Sequence, residues 1–418
     1  MRRQIWTLPL LAGLSLILAG CTTIITRQAV PEDLIDKARP YGIDSLFVRA
    51  WGDIVSDEQV ARLIEGQAAQ VKIRHADKIA NGETIEWEAL ALSGGGPDGA
   101  FGAGYLAGWA ARGDRPVFEA VSGVSTGAII ALYAFLGPEY DDDLREIYTT
   151  YDTDDLVTPA LFTGITRGTA LLDASGYRAL IERYIDDEIV AALAKERTAG
   201  RILMVGTTNL DASRPVVWNL TAIAASGHPD AKRLIHDVIQ ASSAIPGAFP
   251  PVLIPVEHNG RRYDEMHVDG GATQQVMLFS PRFSARRIDE QIGAEIDRRL
   301  YVIINNKLTK PYQPVRPRLG AIASRSASSL IGGSGTGDLY RIFAIAERDG
   351  AEMSVIQIPQ DFDVEPEEAF DPVYMSSLYD LGFRLAVEGE AGLPHPPDWL
   401  PGAAGDTTAS AAVRAPDR

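Results

Sequence analysis

The chain has 418 residues, 46% of them hydrophobic and 23% charged, which is enough apolar material for a large folded core and argues against both general disorder and a multi-span membrane protein. Acidic residues outnumber basic ones 56 to 39, for a net charge of −17. A surface of that sign repels phosphate backbones, so nucleic acid is not expected as a partner.

At the N-terminus, Met1-Arg2-Arg3 is a short positive region and residues 5–18 are an apolar run, which together predict a secretory signal peptide over residues 1–20. The run falls short of the ~20 apolar residues that a spanning helix needs. It ends in Leu18-Ala19-Gly20-Cys21, which resembles the bacterial lipobox. That resemblance implies that Cys21 is joined to diacylglycerol and anchors the mature chain to a membrane. Thr22 stands where aspartate would signal inner-membrane retention, which implies the outer membrane, facing the periplasm. Cys21 is also the one cysteine in the chain, so no internal disulfide can form. Residues 21–82 predict a lipidated tether followed by a helical segment, with Val60, Leu63, Ile64 and Ala68 at helical spacing within 57–73.

Residues 88–93 are a short apolar strand that runs into Gly94-Gly95-Gly96-Pro97-Asp98-Gly99, followed by a small-residue, apolar helical stretch over 100–111. A second strand over 117–121 enters Gly123-Val124-Ser125-Thr126-Gly127 and continues as an apolar helix over 128–136. Strand, glycine turn and helix, repeated, predict a three-layer α/β/α fold with a mainly parallel sheet whose functional loops gather at the carboxyl ends of the strands. Further strands are expected at 201–207, 216–220 and 300–304, with helices at 177–185 and 231–241. The catalytic domain is placed at 83–310. Residues 311–317 are a proline-rich break, and 311–400 predict a helical extension packed on the domain, with a flexible glycine turn over 332–337 before a helix over 338–349. Residues 401–418 predict a disordered tail.

Gly123-Val124-Ser125-Thr126-Gly127 has the G-x-S-x-G pattern of a nucleophile elbow. Gly123 and Gly127 leave room for a strained strand-to-helix turn that pushes the Ser125 hydroxyl out, above a helix whose positive end favours an oxyanion. The Gly94-Gly95-Gly96 turn can aim backbone N–H groups at an anion. It also matches a dinucleotide fingerprint literally, yet the acid that should close a later strand is absent, Asp114 lying in a polar loop; a P-loop lacks its Gly-Lys-Ser/Thr. An oxyanion hole beside the elbow uses both motifs at once.

A glycine-rich strand-to-helix turn, G-x-S-x-G some 30 residues on, and the distant His267-Val268-Asp269-Gly270-Gly271 together resemble the patatin-like phospholipase family. Residues 241–251, Ala-Ser-Ser-Ala-Ile-Pro-Gly-Ala-Phe-Pro-Pro, resemble the segment before that family's aspartate. The likeness spans about 90–273, and a weaker likeness to the family's bacterial lipoprotein members runs to Asp371-Pro-Val-Tyr-Met375. It implies a serine hydrolase acting on carboxylic esters of membrane lipids: Asp269 takes the proton of Ser125, an acyl-enzyme forms, Gly94, Gly95 and Gly96 hold the oxyanion, and no cofactor or metal is needed. An acyltransferase would share the same acyl-enzyme.

Two positions depart from the family pattern. Asp98 stands where arginine or lysine is common, which makes neutral lipids or simple esters more credible substrates than anionic phospholipids. Ala272-Thr273-Gln274-Gln275 replaces an asparagine-and-proline pattern. Among the histidines, His395 is the formal candidate for a conventional triad, while His267 reads as a structural neighbour of Asp269. Asp141 to Asp143 read as a solvated loop, and Asn209 and Asp211 as a turn. The rival classes are a non-catalytic lipid- or partner-binding envelope lipoprotein and a Ser-His-Asp esterase.

Overall fold

A computed structural model describes residues 27–389, except 44–46, 160–169, 171, 279, 309–311 and 313. The expected signal peptide, Cys21, His395 and the tail over 401–418 lie outside the described residues. In chain order the strands and main helices are β1 Arg39–Pro40, β2 Arg49–Trp51, α1 Asp57–Arg74, β3 Ile85–Leu92, α2 Gly99–Arg112, β4 Ala120–Val124, α3 Thr126–Leu136 and α4 Asp141–Thr149. They continue with β5 Thr158–Pro159, β6 Leu172–Asp173, α5 Ser175–Tyr184, α6 Asp187–Thr198, β7 Ile202–Asn209, β8 Arg214–Asn219, α7 Ala231–Ser242, β9 Val252–His258 and β10 Arg261–Asp269. Last come α8 Arg286–Ile292, β11 Ile296–Ile304, α9 Leu319–Asp349, β12 Ala351–Gln357 and α10 Pro372–Glu388.

Five strands in the order β7-β4-β3-β11-β12 run parallel and form the centre of the sheet. Their side chains alternate between two buried faces. Leu90, Leu92 and Val121 join a core with α2, α3, α7 and α10, whereas Ala89, Ala91 and Ala120 face the other way, onto α9. On that second side α1 and α8 also pack, through Val60, Ile64, Ile288 and Ile292. Both faces being covered is why the central stretches of these strands, such as residues 89–92 of β3 and 302–304 of β11, are continuously apolar. The molecule is therefore a three-layer α/β/α fold, as the alternation of strands and helices predicts.

The sheet's other half is antiparallel and has a consequence for the site. Along β7, residues 202–206 pair with β4, and residues 207–209 pair with β10, while β8 takes the opposite flank over 204–209. Strands β4 and β10 thus lie on the same flank of β7 and meet end to end. Val124 sits opposite Gly206, and Asp269 opposite Thr207. The carboxyl ends of two strands far apart in sequence thereby face adjacent residues of β7.

Several expectations need correction. The 311–400 segment does more than pack as a helical extension, since β12 pairs with β11 as a parallel strand of the sheet. Residues 332–337 are no turn: α9 is a single helix through all of them. Asp141 to Asp143 form the first turn of α4, where the helix dipole favours acids, and Arg115 holds Asp141 at 2.8 Å. The N-terminal segment supplies β1 and β2 to the sheet besides α1. Its helix is capped reciprocally by Ser56 and Gln59, with Asp57 and Glu58 in the first turn and Lys72 and Arg74 in the last. The β9–β10 hairpin turns through Asn259-Gly260, both at positive φ, which is a readable hairpin signal.

Candidate active site

Ser125 follows the last residue of β4 and precedes α3, at φ 56° and ψ −128°, in a region where a non-glycine residue is strained. The turn is that tight because both neighbouring glycines are needed. A Cβ at Gly123 would strike the Gly127 carbonyl oxygen, and one at Gly127 would strike the carbonyls of Leu92 and Ser93. The surroundings hold the strain in place. Ser125 N–H donates to Ser242 Oγ at 2.9 Å, and Ser242 Oγ donates to the Gly206 carbonyl at 2.6 Å, all of it buried. Tyr148 holds the next residue, donating to the Thr126 carbonyl at 3.0 Å.

Across the junction of β4 and β10, the Ser125 side chain lies beside the Asp269 carboxylate, close enough to favour its ionised form. Asp269 Oδ1 also accepts from Gly271 N–H at 2.7 Å, and its own N–H donates to the Ala244 carbonyl at 2.9 Å. Burial is the largest influence on this carboxyl. It raises the pKa to about 6, against the opposing pull of Gly271 and Ser125. A carboxylate of that kind is a far better proton acceptor than an ordinary aspartate near neutral pH.

His267 makes other contacts. Its Nδ1 meets Thr207 Oγ1 at 2.9 Å and its Nε2 meets Glu265 at 3.1 Å, with Glu265 in turn bound by Arg49. Burial lowers its pKa. Asn209 accepts from the Ala212 N–H at 3.1 Å, a turn role, and Asp211 pairs with Arg27.

The Gly94-Gly95-Gly96 turn lies beside the elbow, a Cβ at Gly94 coming within 3.1 Å of Ser125 Cβ. One of the three expected oxyanion donors is unavailable there: Gly94 N–H is bonded to the Gln275 carbonyl at 3.0 Å. The amides of Gly95 and Gly96 have no partner among the described residues. Each glycine has its own reason. A Cβ at Gly95 would run into the Asn305 carbonyl oxygen, while Gly96 has open space but sits at φ +60°.

Four residues hold this turn, and of them only Gln275 was noted in the sequence, without a role. Asn305 donates through its N–H to Ser93 Oγ and through Nδ2 to the Ser93 carbonyl, both at 2.9 Å. Asn306 Nδ2 donates to the Gly94 carbonyl at 2.9 Å. Gln275 is itself held by its N–H to Asp338 Oδ2 at 2.6 Å, from α9. Burial raises the Asp338 pKa to about 6, against the pull of Arg341. The asparagines had a usable signal, two amides directly after an apolar parallel strand, at the end of the sheet where functional loops collect.

Ser125 opens into a trough with about 690 Å³ of empty space, counted to its open mouth. Its walls are apolar, among them Ile129, Leu156, Leu180, Phe249, Phe370 and Met375, and Tyr177 within it donates to Ser243 Oγ at 2.8 Å. A polar hollow between β1, β2 and α1 is larger, but none of these groups faces it. The arrangement is a hydroxyl on a strained elbow, a buried carboxylate beside it, free amides alongside and an apolar groove. It can carry out nucleophilic acyl transfer.

Residues 90–279 match the family model described as patatin-like phospholipase. A comparison with curated proteins gave no match. Among solved structures, the chain is similar to VipD from Legionella pneumophila, at a TM-score of 0.36 and 11% identity over 76% of this chain and 70% of that one. It is also similar to human GIVD cytosolic phospholipase A2, at a TM-score of 0.33 and 10% identity over 77% of this chain and 56% of that one, so it spans little more than half of that protein. The segment that matches the patatin-like phospholipase model, residues 90–279, contains the elbow, the glycine turn and the Asp-Gly-Gly.

Proposed function

We propose that the protein is a lipid acyl hydrolase that cleaves carboxylic esters of membrane lipids through a Ser125–Asp269 dyad. The observation that carries the proposal is the buried Asp269 carboxylate set beside Ser125, which stands on a strained elbow at the head of an apolar trough. Asp269 accepts the hydroxyl proton as Ser125 Oγ attacks the ester carbonyl. The amides of Gly95 and Gly96 stabilise the tetrahedral oxyanion. Collapse expels the alcohol, which takes the proton back from Asp269, and leaves an acyl chain on Ser125. Water, deprotonated by Asp269, then attacks the acyl-enzyme; the bond from the acyl carbon to Ser125 Oγ breaks, Ser125 takes the proton back from Asp269, and the fatty acid leaves.

The membrane half of the proposal rests on the N-terminal sequence. A diacylglycerol on Cys21 would confine the enzyme to a bilayer surface, the outer membrane facing the periplasm, where its water-insoluble substrates are. The test is hydrolysis of a nitrophenyl ester and a fluorogenic phospholipid by the soluble form starting at Thr22, beside Ser125→Ala and Asp269→Ala. Loss of both activities by several orders of magnitude in folded variants is expected. Full activity in Asp269→Ala, or a wild type inert to every ester and to a fluorophosphonate probe, would overturn it.

A further inference from the structure

The turn that presents Gly95 and Gly96 is made of residues with little intrinsic preference for one conformation, so it must be held at both ends for its amides to stay aimed. Its near end is tied by Asn305, Asn306 and Gln275. Its far end is Asp98, the acid found where the resembled family often has a cation. Asp98 Oδ1 accepts a hydrogen bond from the Tyr374 hydroxyl at 2.7 Å. Burial and the adjacent carboxylate push the Tyr374 phenol well above its ordinary pKa, so it remains a donor at any working pH.

Tyr374 lies in the first turn of α10, and that turn is fixed in turn. Asp371 accepts from the Val373 and Tyr374 amides at 2.9 and 3.3 Å, with Pro372 at the first helical position. The helix packs backbone against backbone on its neighbour α2. A Cβ at Gly104 would strike the Tyr379 carbonyl, one at Gly108 the Phe383 carbonyl, and one at Gly382 the Phe101 carbonyl. The helix so tightly packed against α10, α2, is the one that begins at the glycine turn.

We infer that Tyr374 and Asp98 form a latch that sets the aim of the Gly95 and Gly96 amides, so that α10, beyond the family-matched segment, is a working part of the active site. Both are positioning residues, acting through the turn rather than on substrate. The inference rests on the proposed role of Ser125 as nucleophile.

The test uses Tyr374→Phe in the soluble form, a change of one hydroxyl that leaves the ring in place. Losing a hydrogen bond to a charged acceptor is expected to lower kcat about tenfold, with KM within about twofold, and to slow fluorophosphonate labelling of Ser125 in step. Asp98→Asn keeps an acceptor oxygen and should retain most of the rate. Asp98→Ala should match Tyr374→Phe, and the double variant should be no slower than either, since a latch breaks once. Labelling at the wild-type rate in Tyr374→Phe, a loss confined to KM, or additive losses in the double variant would overturn the latch alone. A wild type that neither hydrolyses esters nor labels at Ser125 removes the nucleophile assignment, and the latch with it.

Discussion

Replacing Asp269 by asparagine should make the protein more stable while abolishing its activity. Burial raises the Asp269 pKa from 3.8 to about 6, so the ionised carboxylate is disfavoured in the folded state relative to the unfolded one. A rise of roughly two units corresponds to about 3 kcal/mol. For a carboxyl whose folded pKa is raised, the associated stability is fully present below pH 3.8, falls as pH rises through about 6, and is gone above it. Asparagine keeps an oxygen for the Gly271 N–H and can donate to the Ser125 hydroxyl, without the buried charge. Urea unfolding of wild type and Asp269→Asn side by side cancels every other titrating group. The variant should gain about 3 kcal/mol at pH 8, roughly half of that at pH 5 and little at pH 4. An equal gain at pH 4 and pH 8, or none at pH 8, would refute the claim that the site stores the cost of a buried base.

The same carboxyl sets the pH dependence of catalysis: kcat/KM for a nitrophenyl ester should climb with pH through about 6 and then level off, because Asp269 must be ionised to take the proton. A profile that turns near pH 4 would contradict a buried base. Ser242→Ala strands the Ser125 N–H and the Gly206 carbonyl, both buried, and should cost about 2–4 kcal/mol of stability by urea denaturation, together with slower probe labelling. Gly95→Ala drives a methyl group into the Asn305 carbonyl and displaces an oxyanion donor; a loss of about 100-fold or more in kcat is expected for a protein whose circular dichroism remains native. His395→Ala should hydrolyse esters at the wild-type rate, and a large loss would promote a conventional triad.

Much of the site is local in sequence and therefore legible there. A strand, a glycine turn and a small-residue helix state their own conformations, because a turn with Gly123 and Gly127 around Ser125 is governed by sterics within a few residues. The parallel core follows from apolar strands that alternate with helices. What required tertiary structure is everything set by meeting of distant segments. Asp269 reaches Ser125 because β10 continues the flank of β7 where β4 ends, a register that no local pattern encodes. The oxyanion donor set shrinks to Gly95 and Gly96 because Gly94 closes on Gln275, a partner far along the chain. Gly332 to Gly337 read as a turn because glycine is a poor helix former, yet they lie within α9, whose C-terminal half buries Leu339, Ile342 and Ala346 against the sheet. Residue types and spacing thus predicted the elbow serine and the fold class, and the family resemblance implied Asp269 as its partner. Strand register, helix contacts and burial decided which amides stay free, what pKa the acid has and how the C-terminal helices brace the site, since each depends on desolvation or contact between parts of the chain that only folding brings together.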